Sequence, residues 1–192
     1  PVNGRPTRPL EVVADDVHFL GVKLTSEHVH VVVTNLRADV MARGNMPLMD
    51  LTPETVVEEV GDLAARLVTA EFQPVAVGVT LGGDAHSPAQ VDEMKLLNSG
   101  LLGWKQAPLR RLVSDRLGLP CVVMNDVTAL AYSHQWFGDA RGLADFALVS
   151  AGDGIGYALF IHGRPVRTTE ADLGEFAHQI LDPGGPMCPA GH

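Results

Sequence analysis

Residues 74–84 read Pro-Val-Ala-Val-Gly-Val-Thr-Leu-Gly-Gly-Asp. A short, nearly continuous apolar run rich in valine is what a parallel strand covered on both faces requires. The loop 81–84 then stands at the strand's C-terminal end, where open α/β sheets gather their ligands. The pattern returns at 120–126: Pro120 introduces Cys121-Val122-Val123-Met124, and the run stops at Asn125-Asp126. Between the two runs the spacing predicts a helix over 108–117, stopped by Gly118. The remaining stretch, 84–104, reads as mostly irregular.

Upstream, strands are predicted over 17–24 and 28–34, joined by the short turn Thr25-Ser26-Glu27, with a third strand over 40–47 closed by Pro47. Thr52 is the expected N-cap of a following helix, with Pro53 at its first position and Glu54 complementing the dipole. Val56, Val57, Val60, Leu63, Ala64 and Leu67 then recur at helical spacing. Downstream, a helix over 127–136 is stopped by Gly138. Strands over 146–150 and 155–161 flank the loop 151–154, and His162-Gly163 turns the chain into 164–166. Three strands, a helix, alternating strand and helix, then a second run of strands is the order in which a two-lobed sugar kinase or actin-like ATPase begins.

The chain has 192 residues, 46% of them hydrophobic and 19% charged, enough to bury a core and far from a disordered composition. A formal net charge of -9 argues against direct contact between this segment and nucleic acid or an anionic membrane surface. No apolar run reaches the roughly 18 residues of a membrane span. Two cysteines, Cys121 and Cys188, give no disulfide framework, which fits a reducing cytoplasm. Residues 1–13, with Pro1, Pro6 and Pro9, read as a linker. The opening has neither Met nor a signal-peptide pattern and reads as the start of an excised piece.

Several motifs then fall in a recognisable order. Gly154-Ile155-Gly156, His162-Gly163-Arg164 and Gly174-Glu175-x-x-His178 resemble the G-x-G-I-G…x-G-x…G-E-x-G-H stretch of ROK (repressor, open reading frame, kinase) proteins. Asn125-Asp126-Val127-Thr128-Ala129-Leu130-Ala131 is similar to their N-D-x-N-x-x-A segment, and Leu102-Gly103-Trp104 with Pro108-Leu109 to their L-G-W…P-L segment. Gly4-Arg5-Pro6 resembles the stretch that joins a winged-helix DNA-binding domain to the core in the repressor branch. The resemblance implies an α/β, ribonuclease-H-like (actin-like ATPase, sugar kinase-type) fold. Residues 14–140 would form the first lobe, and 141–192 the start of the second, ending inside a zinc-motif region. It implies a cytoplasmic bacterial regulator that is a homo-oligomer and reaches operator DNA through a domain outside this chain.

In that family the Asn-Asp pair and the Glu and His of the later motif bind sugar hydroxyls, which places Asn125, Asp126, Glu175 and His178 at the sugar. The chemistry agrees, because carboxylates accept paired hydroxyls and an asparagine amide both donates and accepts. The plainer reading is that Asn125-Asp126 caps the next helix, and the two roles can coexist. The effector would be a monosaccharide or its phosphate. The alternative is an ATP-dependent hexose kinase with Asp126 as general base. ROK kinases carry D-x-G-G-T in the first hairpin, whereas this chain reads Lys23-Leu24-Thr25-Ser26-Glu27. Lysine replaces the carboxylate, both glycines are lost, and Glu27 puts a negative charge where a phosphate would lie. Gly152, Gly154 and Gly156 are what remains of a second phosphate loop, and a tight turn explains them equally well. An enzyme is therefore the less favoured reading.

Relatives bind structural zinc through the His of G-E-x-G-H and three cysteines of C-x-C-G-x-x-G-C. Here His178 and Cys188 match, Ala190 occupies the second cysteine position, and His192 is near enough to substitute. Two matched ligands fall short of the four that a closed tetrahedral site needs. Cys121 reads as a small buried hydrophobe rather than a nucleophile. His28, His30, His86, His134 and His162 lack metal or triad spacing. Trp104 and Trp136 are both able to line a sugar cleft, with core packing the better account of Trp136. Met41, Met46 and Met49 read as fillers of core gaps or an interface.

Overall fold

A computed structural model of the chain describes residues 10–83, 97–152, 155–166 and 182–185. Three antiparallel strands come first: β1 (His18–Leu24), β2 (His28–Thr34) and β3 (Val40–Pro47). Helix α1 (Pro53–Leu67) crosses over to β4 (Pro74–Leu81), which lies parallel to β1. After the small hairpin β5 (Leu97–Ser99) and β6 (Trp104–Ala107), helix α2 (Leu109–Leu117) leads to β7 (Cys121–Asn125), parallel to β4. The resulting sheet has five strands in the order β3-β2-β1-β4-β7. Helix α3 (Asp126–Phe137) follows without a break, and a three-stranded sheet is then formed by β8 (Phe146–Ala151), β9 (Ile155–Ile161) and β10 (Arg164–Pro165).

Strand alternation fixes which face is buried. Leu20, Val22 and Leu24 share one face with Val29, Val31, Val33, Val77, Val79 and Leu81, all at most 2% exposed. Helix α1 covers that face with the predicted stripe Val56, Val57, Val60, Leu63 and Ala64, and α2 adds Leu109 and Val113. Arg116 of α2 lies across α1 between Glu58 (2.8 Å) and Asp62 (3.0 Å). A glycine in the middle of α1 makes this possible, since a Cβ on Gly61 would stand 2.3 Å from the Arg116 Cζ. The opposite face is less covered than the apolar reading of 74–80 and 121–124 suggested. Val75 and Val122 are 51% and 55% exposed.

Helix α3 is divided between two surroundings. Val127, Ala131 and Tyr132 pack on the second sheet with Phe146, Leu148, Ala158 and Phe160. Phe160 stacks on Phe146 at 4.7 Å and meets Tyr132 edge-on at 4.9 Å. The positions 126, 129, 130 and 133, one helical stripe, face a cavity instead.

Three local expectations need correction. Part of the stretch expected to be irregular forms the β5–β6 hairpin, anchored by Trp104, which is 5% exposed and donates its indole N–H to the Leu51 carbonyl. Core packing therefore belongs to Trp104, while Trp136 is 68% exposed. Thr52 occupies the N-cap position of α1 but makes no side-chain cap bond. Asp50 organises that turn, accepting from the Thr52 amide (2.8 Å), the Thr52 hydroxyl (3.2 Å) and the Thr55 hydroxyl (3.1 Å). Of Met41, Met46 and Met49, Met46 packs against the core, while Met41 and Met49 are 36% and 88% exposed.

Candidate functional site

The C-terminal ends of β1, β4 and β7 lie side by side, Lys23 beside Thr80 and Leu81 beside Asn125. Chain geometry alone thus brings the first hairpin, the Gly82-Gly83 loop and the start of α3 together. The loop is tied from both sides. The Ser99 hydroxyl donates to the Gly82 carbonyl at 2.8 Å, and the Asn125 amide donates to the Gly83 carbonyl at 3.1 Å. Gly83 has φ +123°, and a Cβ there would stand 2.7 Å from the Asn98 carbonyl oxygen, so only glycine fits.

Asn125 caps α3. Its side-chain oxygen accepts from the amides of Val127 (3.0 Å) and Thr128 (3.1 Å). The capping reading is therefore correct for this residue, and its amide nitrogen is engaged with Gly83. Asp126 follows as the first residue of the helix, where the dipole favours a carboxylate. One of its oxygens accepts from the Val127 amide at 2.9 Å. Asp126 is the member of the pair that lines a cavity of about 300 Å³, together with Lys23, Thr80, Ser133 and Ser150 and the apolar Val127, Ala129 and Leu130. That volume lies at the lower end of the range of small-molecule sites. Lys23 enters from β1, Thr80 from β4 and Ser150 from β8, so the cavity lies between the two sheets. The sequence does not single out Thr80 and Ser133, and it offers Ser150 only as a serine without a nucleophile-elbow context. Their only signal was position, the end of a strand or one helical stripe with Asp126.

The β1–β2 hairpin is closed on itself. The Thr25 hydroxyl oxygen accepts from the amides of Glu27 (3.3 Å) and His28 (2.9 Å) and donates to the His28 carbonyl (3.1 Å). The Thr25 amide bonds the same carbonyl at 3.0 Å, and the Glu27 carbonyl is taken by the Leu48 amide at 2.7 Å. Backbone N–H groups that a phosphate-binding turn leaves for its ligand are here used by a threonine. Lys23, in place of a metal-holding carboxylate, completes a hairpin that does not fit magnesium and nucleotide phosphates.

Gly156 has a packing reason to be glycine. A Cβ there would fall 2.2 Å from Val127 Cγ2, so the start of β9 lies directly against the first turn of α3. Gly152 has open space around it. Gly154, Glu175, His178 and Cys188 lie outside the described residues. Among the described residues no group of three or more His, Cys, Asp or Glu is placed to hold a metal, and no helix is long and apolar enough to cross a membrane. Cys121 is buried at the start of β7, and burial pushes its thiol up to about 12, against a smaller lowering by Arg110.

A five-stranded mixed sheet in this order, with its polar residues gathered at the ends of β1, β4 and β7, defines an α/β protein of the ribonuclease-H-like, sugar kinase and actin-like ATPase class. Residues 19–192 match the ROK family, and the chain belongs to it. It is 24% identical over 191 residues to a xylose repressor of Caldicellulosiruptor bescii, covering 98% of this chain and 48% of the relative. It is 26% identical over 172 residues to a glucokinase of Streptomyces coelicolor, covering 90% of this chain and 52% of the relative. In three dimensions it superposes on a ROK family transcriptional regulator, a homologue of the E. coli Mlc protein, with a TM-score of 0.75 and 22% identity. That superposition covers 91% of this chain and 44% of the other. The chain spans about half the length of the curated relatives it matches, and the family holds both repressors and sugar kinases.

Proposed function

We propose that this chain is the effector-binding core of a ROK-type transcriptional regulator, responding to a monosaccharide or its phosphate. The self-closed hairpin carries this reading. Phosphoryl transfer is almost entirely positioning and charge stabilisation of phosphates, and a turn in which the Thr25 hydroxyl takes the Glu27 and His28 amides is poorly suited to it. The hydroxyl-binding end is meanwhile kept, with Asp126 in the cavity and Asn125 fixing the helix that carries it. By the family resemblance Glu175 and His178 complete the sugar contacts, and operator DNA is reached through a separate domain in a cytoplasmic homo-oligomer. Sugar binding acts by favouring one arrangement of the two lobes over another, which requires different affinity for the two. The resemblance also leaves a structural zinc at His178 and Cys188 to be tested by metal analysis of the purified protein.

The test is thermal stability of the full-length protein against hexoses, pentoses, N-acetylhexosamines, their phosphates, and Mg-ATP. A ligand that binds only the native state raises Tm. A shift with one sugar, lost in Asp126→Ala and absent with Mg-ATP, supports the sensor. A clear Mg-ATP shift with phosphorylated sugar as product reverses the argument in favour of the hexose kinase.

A further inference from the structure

The sugar-binding reading gives Asp126 a role but leaves Lys23 unexplained. Lys23 sits at the C-terminal end of β1, opposite His30 in the antiparallel pairing and beside Thr80 in the parallel one. Residues paired across strands project from the same face, so His30, Lys23 and Thr80 form one row across three strands. This face is the one turned away from α1 and α2. Nothing acidic stands in that row, and its members Lys23 and Thr80 line the same cavity as Asp126 of α3.

Among the described residues Lys23 forms no ion pair. The ion pairs there are Arg37 with Glu11, Arg116 with Glu58 and Asp62, and the contact of His162 with Asp145. Asp126 lines the same cavity but accepts a hydrogen bond from the Val127 amide, not from the ammonium. The lining thus carries a carboxylate and an ammonium that are not paired with each other, together with the hydroxyls of Thr80, Ser133 and Ser150. A neutral sugar satisfies a carboxylate and hydroxyls but offers an ammonium only weak acceptors. An anionic substituent on the sugar forms a charge-assisted bond with it, roughly twice as strong as a neutral one.

Resting on the sugar-sensor reading, we propose that Lys23 is a specificity residue that selects an effector carrying an acidic group. That group is a phosphate or a carboxylate, on the carbon chain of the same sugar whose hydroxyl Asp126 holds. The substitution that removes phosphoryl transfer from the hairpin would then also supply the cation that reads a pre-formed anion.

The experiment is titration calorimetry on the full-length protein and its Lys23→Met variant, at low salt. The probes are glucose, xylose, glucose 6-phosphate, xylose 5-phosphate and glucuronate. In the wild-type protein the best anionic sugar is expected to bind about tenfold tighter than its neutral parent, and Lys23→Met to bring that ratio close to one. Tight binding of the phosphates alone identifies a phosphorylated effector, and of glucuronate alone a sugar acid. A wild-type protein that prefers the neutral sugar, or a ratio unchanged by Lys23→Met, overturns the assignment and leaves the sugar-sensor reading standing. Absence of binding by every sugar, neutral or anionic, overturns both.

Discussion

Replacing Gly156 by alanine tests how α3 is held. Gly156 is not among the positive-φ glycines, so the backbone at this position accepts alanine without strain. Relief of unfolded-chain entropy alone would then stabilise the protein by about 0.4–1 kcal/mol. Space decides otherwise. The new Cβ would stand 2.2 Å from Val127 Cγ2 and 3.3 Å from both Cβ and Cγ1. Valine is rigid at χ1, and Val127 is held in the first turn of α3 by two hydrogen bonds to its amide. Overpacking of this kind costs about 1–3 kcal/mol, so the net expectation is a loss of about 1–2 kcal/mol. Val127→Ala removes two partly buried carbons, at about 0.8 kcal/mol per fully buried methylene, and is expected to cost about 1 kcal/mol by itself. It also vacates the space the new methyl needs, so the double variant should lose about 1 kcal/mol or more less than the sum of the singles. Urea denaturation of the four proteins, followed by circular dichroism, measures this coupling. Additivity within about 0.3 kcal/mol, or a Gly156→Ala protein as stable as its parent, would refute the packing argument and return Gly156 to the loop role the sequence suggested.

Three further outcomes follow from the same structure. Cys121 has its pKa raised from 9.0 to about 12 by burial, so a folded Cys188→Ser protein should resist Ellman's reagent at pH 8 and react only on unfolding. Because the unfolded thiol ionises first, the stability this group contributes is fully present below about 9 and falls as pH rises from there toward about 12. Cys121→Val should flatten that part of the urea-midpoint profile. Asp50 has its carboxyl held below 3.8, first by the Thr52 amide and then by the Thr55 hydroxyl. Its contribution is present above the unfolded pKa and lost as pH falls through the folded one, so Asp50→Ala should lower Tm at pH 7 and leave it unchanged at the acid end. Thr25→Val removes the acceptor for the Glu27 and His28 amides. It should cost about 1 kcal/mol and accelerate hydrogen exchange at those two amides, and unaltered exchange would show that Thr25 does not close the turn.

The strand and helix frame was legible because its signals are local. β2, β3 and β9 occupy the ranges read from apolar alternation and turn residues, and α1 begins at the proline that marks it. What the sequence hid depends on contacts distant in the chain. The β5–β6 hairpin is too short for periodicity, and its anchor Trp104 is fixed by the Leu51 carbonyl 53 positions away. The exchange of roles between Trp104 and Trp136 has the same origin, since composition does not say which tryptophan finds a buried partner. Within the site, Asn125 and Asp126 stood out as a motif at a strand end. Ser133 and Ser150 did not, because a serine gains meaning only from the cavity it lines. Gly156 was visible as a glycine, but the reason for it lies in Val127.

Two readings of Asn125-Asp126, helix cap or ligand site, describe different atoms. Asn125 uses its carbonyl oxygen on two helix amides and its nitrogen on Gly83, which leaves at most one N–H for a ligand. In the proposed sensor its effect on a sugar would be exerted mainly through Asp126, by fixing the first turn of α3 against the Gly82-Gly83 loop. Asp126 needs only one oxygen for the Val127 amide and has the other for the cavity. The two substitutions should then fail in different ways. Asp126→Asn keeps the fold and weakens the sugar. Asn125→Ala costs about 1 kcal/mol of stability as a lost cap and weakens the sugar in proportion to how far α3 shifts. Asn125→Asp keeps an N-capping oxygen but turns the Gly83 contact repulsive, so a protein of near-normal Tm with impaired sugar binding would place Asn125's contribution in the loop rather than in the cap.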